Sequence, residues 1–555
     1  MKNWLLRYEA SDFDNSLFDS SQLSAIRGAS LTFLYSSRLV QGLISKQSGR
    51  SARAIYAGAS QGAFSFEATR DDAMRIKASV CEALRRPDPE TGCHQHMSYV
   101  VAVVEGADQE ALSRAEALCN AQVGQTAHPA WPTFSADQTK PGSRRDPRPA
   151  QARKDLSSAI EDRAAFGRRQ RQAFYRSFLG VTGQDPGFDF SDEFEEITWG
   201  AERLCRSAAE PGAPTTPLPL SLHNKMAVFF ADGNAFGKHR DHALARAPDL
   251  DGLTAFSTQL IERQQQLLSA IVSWLKSHYR AGEENAWFTV DPIDRRARAR
   301  FETLMWGGDE MLFVLPSWLA FEFAELFFST VRDWSIGGHP LTFSAGMVIC
   351  DRKTPISQAK AVAEQLSTAA KAVARSDSAY GMNTLQIEVF EGLALPDGNI
   401  DGFRDKLYFH GRPAADPQAV VRRTGETNIQ LTIQGGDVGQ LAERIARLKT
   451  TLPRSQLYKL LDIGSREGVA HSRTATVENK EGERVLREEY RLLADTFDSY
   501  ARRAGAESGL KLSDLGILAP PDGKPASLAL NIAMMARLWD YALTLSPADT
   551  VLEKA

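Results

Sequence analysis

Twice along this 555-residue chain the hydrophobic pattern changes period in the same order: alternating, helical, a doubled alternating run, helical, alternating. The first pass comprises strand "NWLLRYEAS", a helix within "SSQLSAIRGASLTFLYSSRLVQGLIS", strands "RAIYAGA" and "GAFSFEA", helix "DDAMRIKASVCEALRR" and strand "SYVVAVVEG". The second comprises "KMAVFFADG", the long helix in "LTAFSTQLIERQQQLLSAIVSWLKSHYR", the strand before "WGGDE", then "MLFVLP", helix "SWLAFEFAELFFSTVRDW" and strand "PLTFSAGMVIC". A chain read this way can fold only as strands interleaved with helices that return to the same sheet. The expected class is α+β, with two ferredoxin-like βαββαβ units at 1–122 and 220–395. Between them, 123–219 opens on the proline-rich "GQTAHPAWPTFSADQTKPGSRRDPRPAQARK", read as a linker leading into a mainly helical insert. Residues 396–555 carry helical patterns such as "VGQLAERIARLKTTL", "RVLREEYRLLADTFDSYARRAG" and "SLALNIAMMARLWDYALTL", and are expected to form a mainly helical bundle.

The copies differ at one telling place. In the second, the hairpin turn reads Gly307-Gly308-Asp309-Glu310; in the first, "AGASQG" keeps glycines and has no carboxylate. The acids are therefore not needed for turning. Adjacent carboxylates repel, and a divalent cation between them relieves that repulsion. A solvated hairpin tip is the alternative. The first strand of the same unit ends at Asp232, Gly233 and Asn234, and in a βαββαβ sheet that strand neighbours the hairpin, so Asp232 is expected to meet Asp309 and Glu310. Such acids are hard oxygen ligands for Mg²⁺ or Mn²⁺; a pair of ions about 3.5–4 Å apart suits phosphoryl transfer from a nucleoside triphosphate, which requires no Ser/His nucleophile pair. Asp232, Asp309 and Glu310 are the candidate catalytic and metal-binding residues. For phosphate, "NAFGK" offers backbone amides of Phe236 and Gly237 at a helix start together with Lys238, and Lys371 and Arg375 lie one helical turn apart. A solvated helix face is the alternative for that pair.

Bulk properties narrow the setting. Length implies roughly three or four domains. With 43% apolar residues, 24% charged residues and net charge -4, the chain reads as an ordinary globular protein with no bulk attraction to nucleic acid. Five scattered cysteines form no CxxC pair, so no disulfide framework or thiolate zinc site is expected and a reducing cytoplasm fits. The N-terminus turns acidic before a signal-length apolar core develops, and no run of about 18 apolar residues follows, so neither secretion nor membrane contact is expected.

Together, "FFADGNAFGK", "MWGGDEMLFVLP" and "LTFSAGMVICDRKTPISQAKAVAEQLSTAAK" resemble the second palm domain of the large subunit of type III CRISPR-Cas effector complexes, the cyclic oligoadenylate synthases. "LFDSSQLSAIRGAS" and "IYAGASQGAFSF" look like that subunit's catalytically degenerate first palm, and "LPRSQLYKLLDIGSREG" is similar, more faintly, to its helical tail. The resemblance implies an enzyme that joins ATP units and closes them into a ring in antiviral defence, with two metal ions and with partner subunits, guide RNA and target RNA. It makes Asp232 and Asp309 metal ligands, Glu310 a ligand or catalytic carboxylate, and Gly307 and Gly308 a floor on which the nucleotide lies. Gly233, Asn234, Phe236, Gly237, Lys238, Ser344, Lys371 and Arg375 complete the nucleotide-binding set, although Ser344 and Gly346 also suit close strand packing. Three departures bear on this. Glu310 stands where the family commonly has a second Asp, matching the GGDE of diguanylate cyclases and leaving the product base open; the chain begins directly with the first palm, so no His-Asp nuclease activity is expected; and no cysteine cluster lies between the palms, so no zinc is expected. A stand-alone cyclase using GTP or mixed nucleotides, and a scaffold that binds nucleotide or RNA without turnover, are the alternatives.

Other features carry less. "CHQH" (Cys93, His94, His96) lacks a second ligand pair at zinc-like spacing. The basic "GRRQRQAFYR" offers arginines for RNA phosphates and Phe174 and Tyr175 for base stacking, against a solvated basic helix that pairs with the acidic "DFSDEFEEITW". Trp306 is expected either to stack on a base or to be buried at a strand end.

Overall fold

The computed structural model describes residues 1–125, 150–176, 187–205, 218–246, 250–375, 379–409, 425–466 and short stretches at 476–478, 484–486, 495–502 and 528–545, less a few single positions and pairs. The proline-rich run 126–149 and His96 lie outside the described residues.

Each expected unit builds four antiparallel strands in the same spatial order, and the second adds a fifth strand in parallel. In the first, β1 (Lys2–Ala10), α1 (Leu23–Ser48), β2 (Arg53–Ala57), β3 (Gln61–Ala68), α2 (Arg70–Ala83) and β4 (Tyr99–Glu105) give the sheet order β2-β3-β1-β4, with α3 (Gln109–Gln125) behind it. In the second, β5 (Lys225–Gly233) is followed by α5 (Phe236–Arg246) and α6 (Asp251–His278). The hairpin β6 (Glu302–Gly307) and β7 (Glu310–Pro316), α7 (Ala320–Val331), β8 (Phe343–Asp351), α8 (Ile356–Ala374) and β9 (Thr384–Val389) complete it, in the order β6-β7-β5-β8-β9. A sixth strand, β10 (Ile433–Gln434), adds to β9 from sequence expected to belong to the C-terminal bundle.

The registers superpose residue for residue. Asp232 pairs with Glu310 across β5 and β7, and Glu9 pairs with Gln61 across β1 and β3. Period-two alternation explains the layers: Ala227, Phe229 and Ala231 enter one core, while Met226, Val228 and Phe230 enter another on the opposite face. The first core stacks Phe229, Phe313, Phe323 and Phe327 beneath α7. The second is closed by α8 and by Leu23, Ile26 and Phe33 of α1, so a helix of the first unit covers the sheet of the second. Gly346 permits the approach of α8, since a Cβ there would lie 2.0 Å from the Ala363 carbonyl oxygen.

The insert places α4 (Ala150–Arg176) across α1, where Gly28 and Gly167 let the backbones touch. Its aromatics are not free for RNA: Phe174 and Tyr175 are buried, Tyr175 stacking on Phe190 at 3.7 Å. Arg163 and Arg171 are buried in pairs with Asp19 and with Asp189 and Asp192, so the acidic stretch neutralises part of the basic helix. Arg27 of α1 reaches the buried Glu302 at the start of β6, which also accepts a hydrogen bond from Tyr175 at 3.0 Å. Cys93 and His94 are buried too, and desolvation pushes the His94 imidazole down to about 4. In the C-terminal part, α9 (Val438–Thr451), α10 (Arg454–Arg466) and α11 (Leu528–Leu538) pack Leu441, Ile445, Leu457, Leu460 and Ile532 into the main core. Within this part, expected to be mainly helical, the helical pattern read from "RVLREEYRLL" begins instead on a strand, Arg484–Leu486, paired with Thr476–Glu478. Among the described residues no helix is long and apolar enough to cross a membrane.

Candidate functional site

The acids are assembled by strand register. Asp232 ends β5, opposite Glu310 on one side and Ser344 on the other. Asp309 sits in the turn that joins β6 to β7, its carbonyl accepting a hydrogen bond from the Gly233 amide at 2.9 Å. Gly233 is glycine for a steric reason, because a Cβ there would meet the Asp309 Cβ at 2.8 Å. Desolvation first, and the nearby Asp232 charge second, push the Asp309 carboxyl up to about 6. The same order of causes, desolvation and then Asp309 and Asp232, raises Glu310 to about 7. Glu310 retains solvent access, so the like-charge crowding is the part of its shift that a bound cation would relieve.

Asp232 has a counter-ion. Lys371 of α8 donates to its Oδ2 at 2.5 Å, with both side chains mostly buried. The expected metal cage is accordingly not closed: among the described residues no three His, Cys, Asp or Glu side chains converge as a ready-made coordination group. The donor set nevertheless suits a hard divalent cation, since three oxygen-bearing side chains crowd one sheet end, where Asp232 raises the proton affinity of Asp309 and the two together raise that of Glu310. About three turns N-terminal to Lys371 on α8, Lys360 pairs with Asp14 at 3.1 Å and with Glu364, and both Lys360 and Glu364 act on the charge of Glu310.

Several expected nucleotide contacts are engaged elsewhere. Asn234 is fully buried; its amide donates to Thr342 Oγ1 at 3.1 Å and to the Met382 carbonyl at 2.9 Å, and its Oδ1 accepts from Ser344 at 2.8 Å. Ser344 is equally buried and also bonds Thr384 at 2.9 Å, so both residues lock β5, β8 and β9 together and neither faces a ligand. Gly307 has φ +149, and a Cβ there would lie 2.4 Å from the Ala59 Cβ, so one close approach at this glycine is made by the turn of the first sheet. Gly308, with φ +63, has open space at its Cβ position. Gly237 and Lys238 are exposed in the first turn of α5, where Lys238 Nζ donates to the Ala379 carbonyl at 2.9 Å; Arg375 is exposed at the end of α8.

Beside the acids lies a cavity of about 280 Å³ between the two sheets. Gly307, Gly308 and Trp306 line it from the acid hairpin, Phe236 and Phe256 from α5 and α6, and Tyr56 from the first sheet. Trp306 is buried and still borders this space, so the two readings of it meet. Pattern reading missed the polar residues here. Arg38, stacked over Tyr35 at 4.5 Å, and Gln264 gave no motif; Gln264 left one trace, as a polar residue in the buried stripe Leu260, Leu267, Ile271 of α6.

In the first sheet the corresponding site is filled by its own side chains. Arg7 pairs with Glu9 at 2.6 Å, and donates to Gln61 Oε1 at 3.2 Å and to the Tyr56 hydroxyl at 2.9 Å.

Residues 225–379 match the family model described as Cas10/Cmr2, second palm domain. Among solved structures, Csm1 in T. onnurineus is similar to this chain with a TM-score of 0.50 and 12% identity, covering 97% of this chain and 70% of that one. A Csm1-Csm4 cassette in complex with cA3 has a TM-score of 0.49 and 13% identity over 96% of this chain and 70% of that one. A Csm1-Csm4 cassette in complex with one ATP has a TM-score of 0.48 and 13% identity over the same shares, 96% and 70%. No curated protein matches.

Proposed function

We propose that this Cas10-like chain, which carries a Cas10/Cmr2 second palm domain, is a nucleotidyltransferase that converts ATP to cyclic oligoadenylate within a type III CRISPR effector. One observation carries the reading: inside the matched segment, strand register sets Asp232 against Glu310 with Asp309 in the adjoining turn, and the neighbouring cavity opens against the same glycine turn.

The chain's own residues divide the work. Phe236, Phe256, Trp306 and Tyr56 wall a cavity of a size and apolar character suited to a purine base. Lys371 is held at the acids by Asp232 and is free to turn to a triphosphate, with Lys238 and Arg375 supplying further positive charge on α5 and α8. A divalent cation held by Asp232, Asp309 and Glu310 would supply charge neutralisation and a lowered pKa for a ribose hydroxyl. Catalysis then rests on positioning, with the hydroxyl oxygen in line with an α-phosphate and pyrophosphate leaving on the lysine side. The degenerate first palm contributes the opposite wall of the cavity. Other type III subunits, guide RNA and target RNA are the proposed partners.

The test is mass spectrometry of products formed by the purified full chain, alone and with its complex subunits and RNAs, from all four nucleoside triphosphates with Mg²⁺ or Mn²⁺. Cyclic oligoadenylate that disappears in Asp309→Ala supports the reading. Cyclic products containing guanine would move the assignment to a GTP-using or mixed-nucleotide cyclase. Nucleotide binding without turnover under every condition would make the chain a scaffold.

A further inference from the structure

The helix α6 buries a stripe of Leu253, Phe256, Leu260, Leu267 and Ile271 against the core, and Gln264 interrupts it while only 6% exposed. A leucine would serve helix packing better, because a buried amide is costly unless it is hydrogen-bonded. Gln264 is bonded: its Nε2 donates to the Gly308 carbonyl at 2.7 Å. That carbonyl belongs to the peptide joining Gly308 to Asp309.

The conformation of the turn makes this bond informative. Gly307 and Glu310 pair, leaving Gly308 and Asp309 as the two central residues. Gly308 has φ +63, and Asp309 is absent from the positive-φ residues, which is the sign pattern of a type II′ turn. A type I′ turn, equally compatible with a two-residue hairpin, differs by a flip of the central peptide. Glycine at position 308 tolerates either orientation, and Asp309, which a type I′ turn would force to positive φ, favours the type II′ form. The hydrogen bond from Gln264 holds that same orientation from outside the hairpin. On the opposite edge of the same peptide the Asp309 amide faces its own carboxylate, and the next peptide is tied by the Gly233 amide to the Asp309 carbonyl.

We propose that Gln264 is a positioning residue: by clamping the Gly308–Asp309 peptide in one of its two orientations, it fixes where the Asp309 carboxylate points. Gln264 also lines the cavity with Gly308, so a ligand seated there packs against the clamp itself. The importance of this clamp for turnover rests on the nucleotidyltransferase reading above; the clamp itself does not.

The experiment uses the full chain with Gln264→Leu and Gln264→Glu, the second keeping the length of the side chain and losing the donor at neutral pH. Hydrogen exchange followed by mass spectrometry over residues 305–312 reads the clamp directly, and both variants are expected to exchange at least about tenfold faster there while melting within a few degrees of wild type. Turnover is expected to fall roughly 10- to 100-fold in kcat with KM for ATP changed less than about threefold, as misplacement of a reacting group by about 1 Å produces. Unchanged exchange over 305–312 in both variants overturns the proposal, as does a loss of kcat matched by a global loss of protection. If wild type makes no product, the function proposed above fails and the exchange measurement still decides the clamp.

Discussion

Substituting Gly307 by alanine tests whether the hairpins of the two sheets meet in solution. Two costs add. The backbone sits at φ +149, a region that costs an L-residue about 1–3 kcal/mol, and the new Cβ would stand 2.4 Å from the Ala59 Cβ, an overlap of the kind that costs about 1–3 kcal/mol in a packed core. A gain of about 0.4–1 kcal/mol from the stiffer unfolded chain offsets part of this, leaving a net destabilisation of about 1–5 kcal/mol. Gly308→Ala is the control, because it carries backbone strain at φ +63 but has nothing within 4 Å of its Cβ. Ala59→Gly is the rescue. Urea unfolding followed through tryptophan fluorescence, with Trp306 adjoining the contact, should rank Gly307→Ala below Gly308→Ala. The double variant Gly307→Ala/Ala59→Gly should recover about 1–2 kcal/mol of coupling. Equal effects of the two glycine substitutions, with no recovery in the double variant, would refute the contact between the turns.

Without divalent cation, Asp309 makes stability depend on pH with a definite sign. Its folded value near 6 lies above the ordinary carboxylate value of 3.8, so the folded state holds the proton longer, and the relative stability present below pH 4 is lost as pH rises through about 6. The loss is on the order of 2–3 kcal/mol, and Asp309→Asn should flatten it in melts recorded from pH 4 to 8. Lys371→Ala, which strips Asp232 of its counter-ion, should lower kcat/KM for ATP at least about tenfold in the product assay, with KM rising if the lysine holds phosphate in the ground state. Glu302→Ala should cost about 3–5 kcal/mol in unfolding experiments, since it removes the nearest carboxylate from the buried Arg27 guanidinium and leaves it only the Ser191 carbonyl and Asp192 at 3.5 Å.

What pattern reading recovered and what it missed follow from how each feature is encoded. The βαββαβ order was legible because strand and helix periods are local, and the meeting of Asp232 with Asp309 and Glu310 followed from topology alone. Asn234 and Ser344 look in sequence like any polar residue beside an active site; only the fold shows that their polar atoms are consumed by each other, by Thr342 and by Thr384. Gly307 was read as making room for a ligand; it lines the cavity and also makes room for Ala59, a contact across more than two hundred intervening residues that no local pattern marks. Phe174 and Tyr175 illustrate the same limit: an aromatic in a basic run carries no mark of which face of its helix is buried.

The Arg7–Glu9 pair of the first sheet has a consequence for how a duplicated protein can diverge. By register, Glu9 stands where the second sheet has Asp232, Gln61 where it has Glu310, and Ser60 where it has Asp309. The first sheet carries one carboxylate at these positions, Glu9, and the Arg7 guanidinium supplied by the chain sits on it. Because the two hairpin tips touch at Ala59 and Gly307, acids retained on both would face one another across that contact. Neutralising one copy from within removes the conflict, and ties the resting architecture of the pair to a cation that no chelator can strip away.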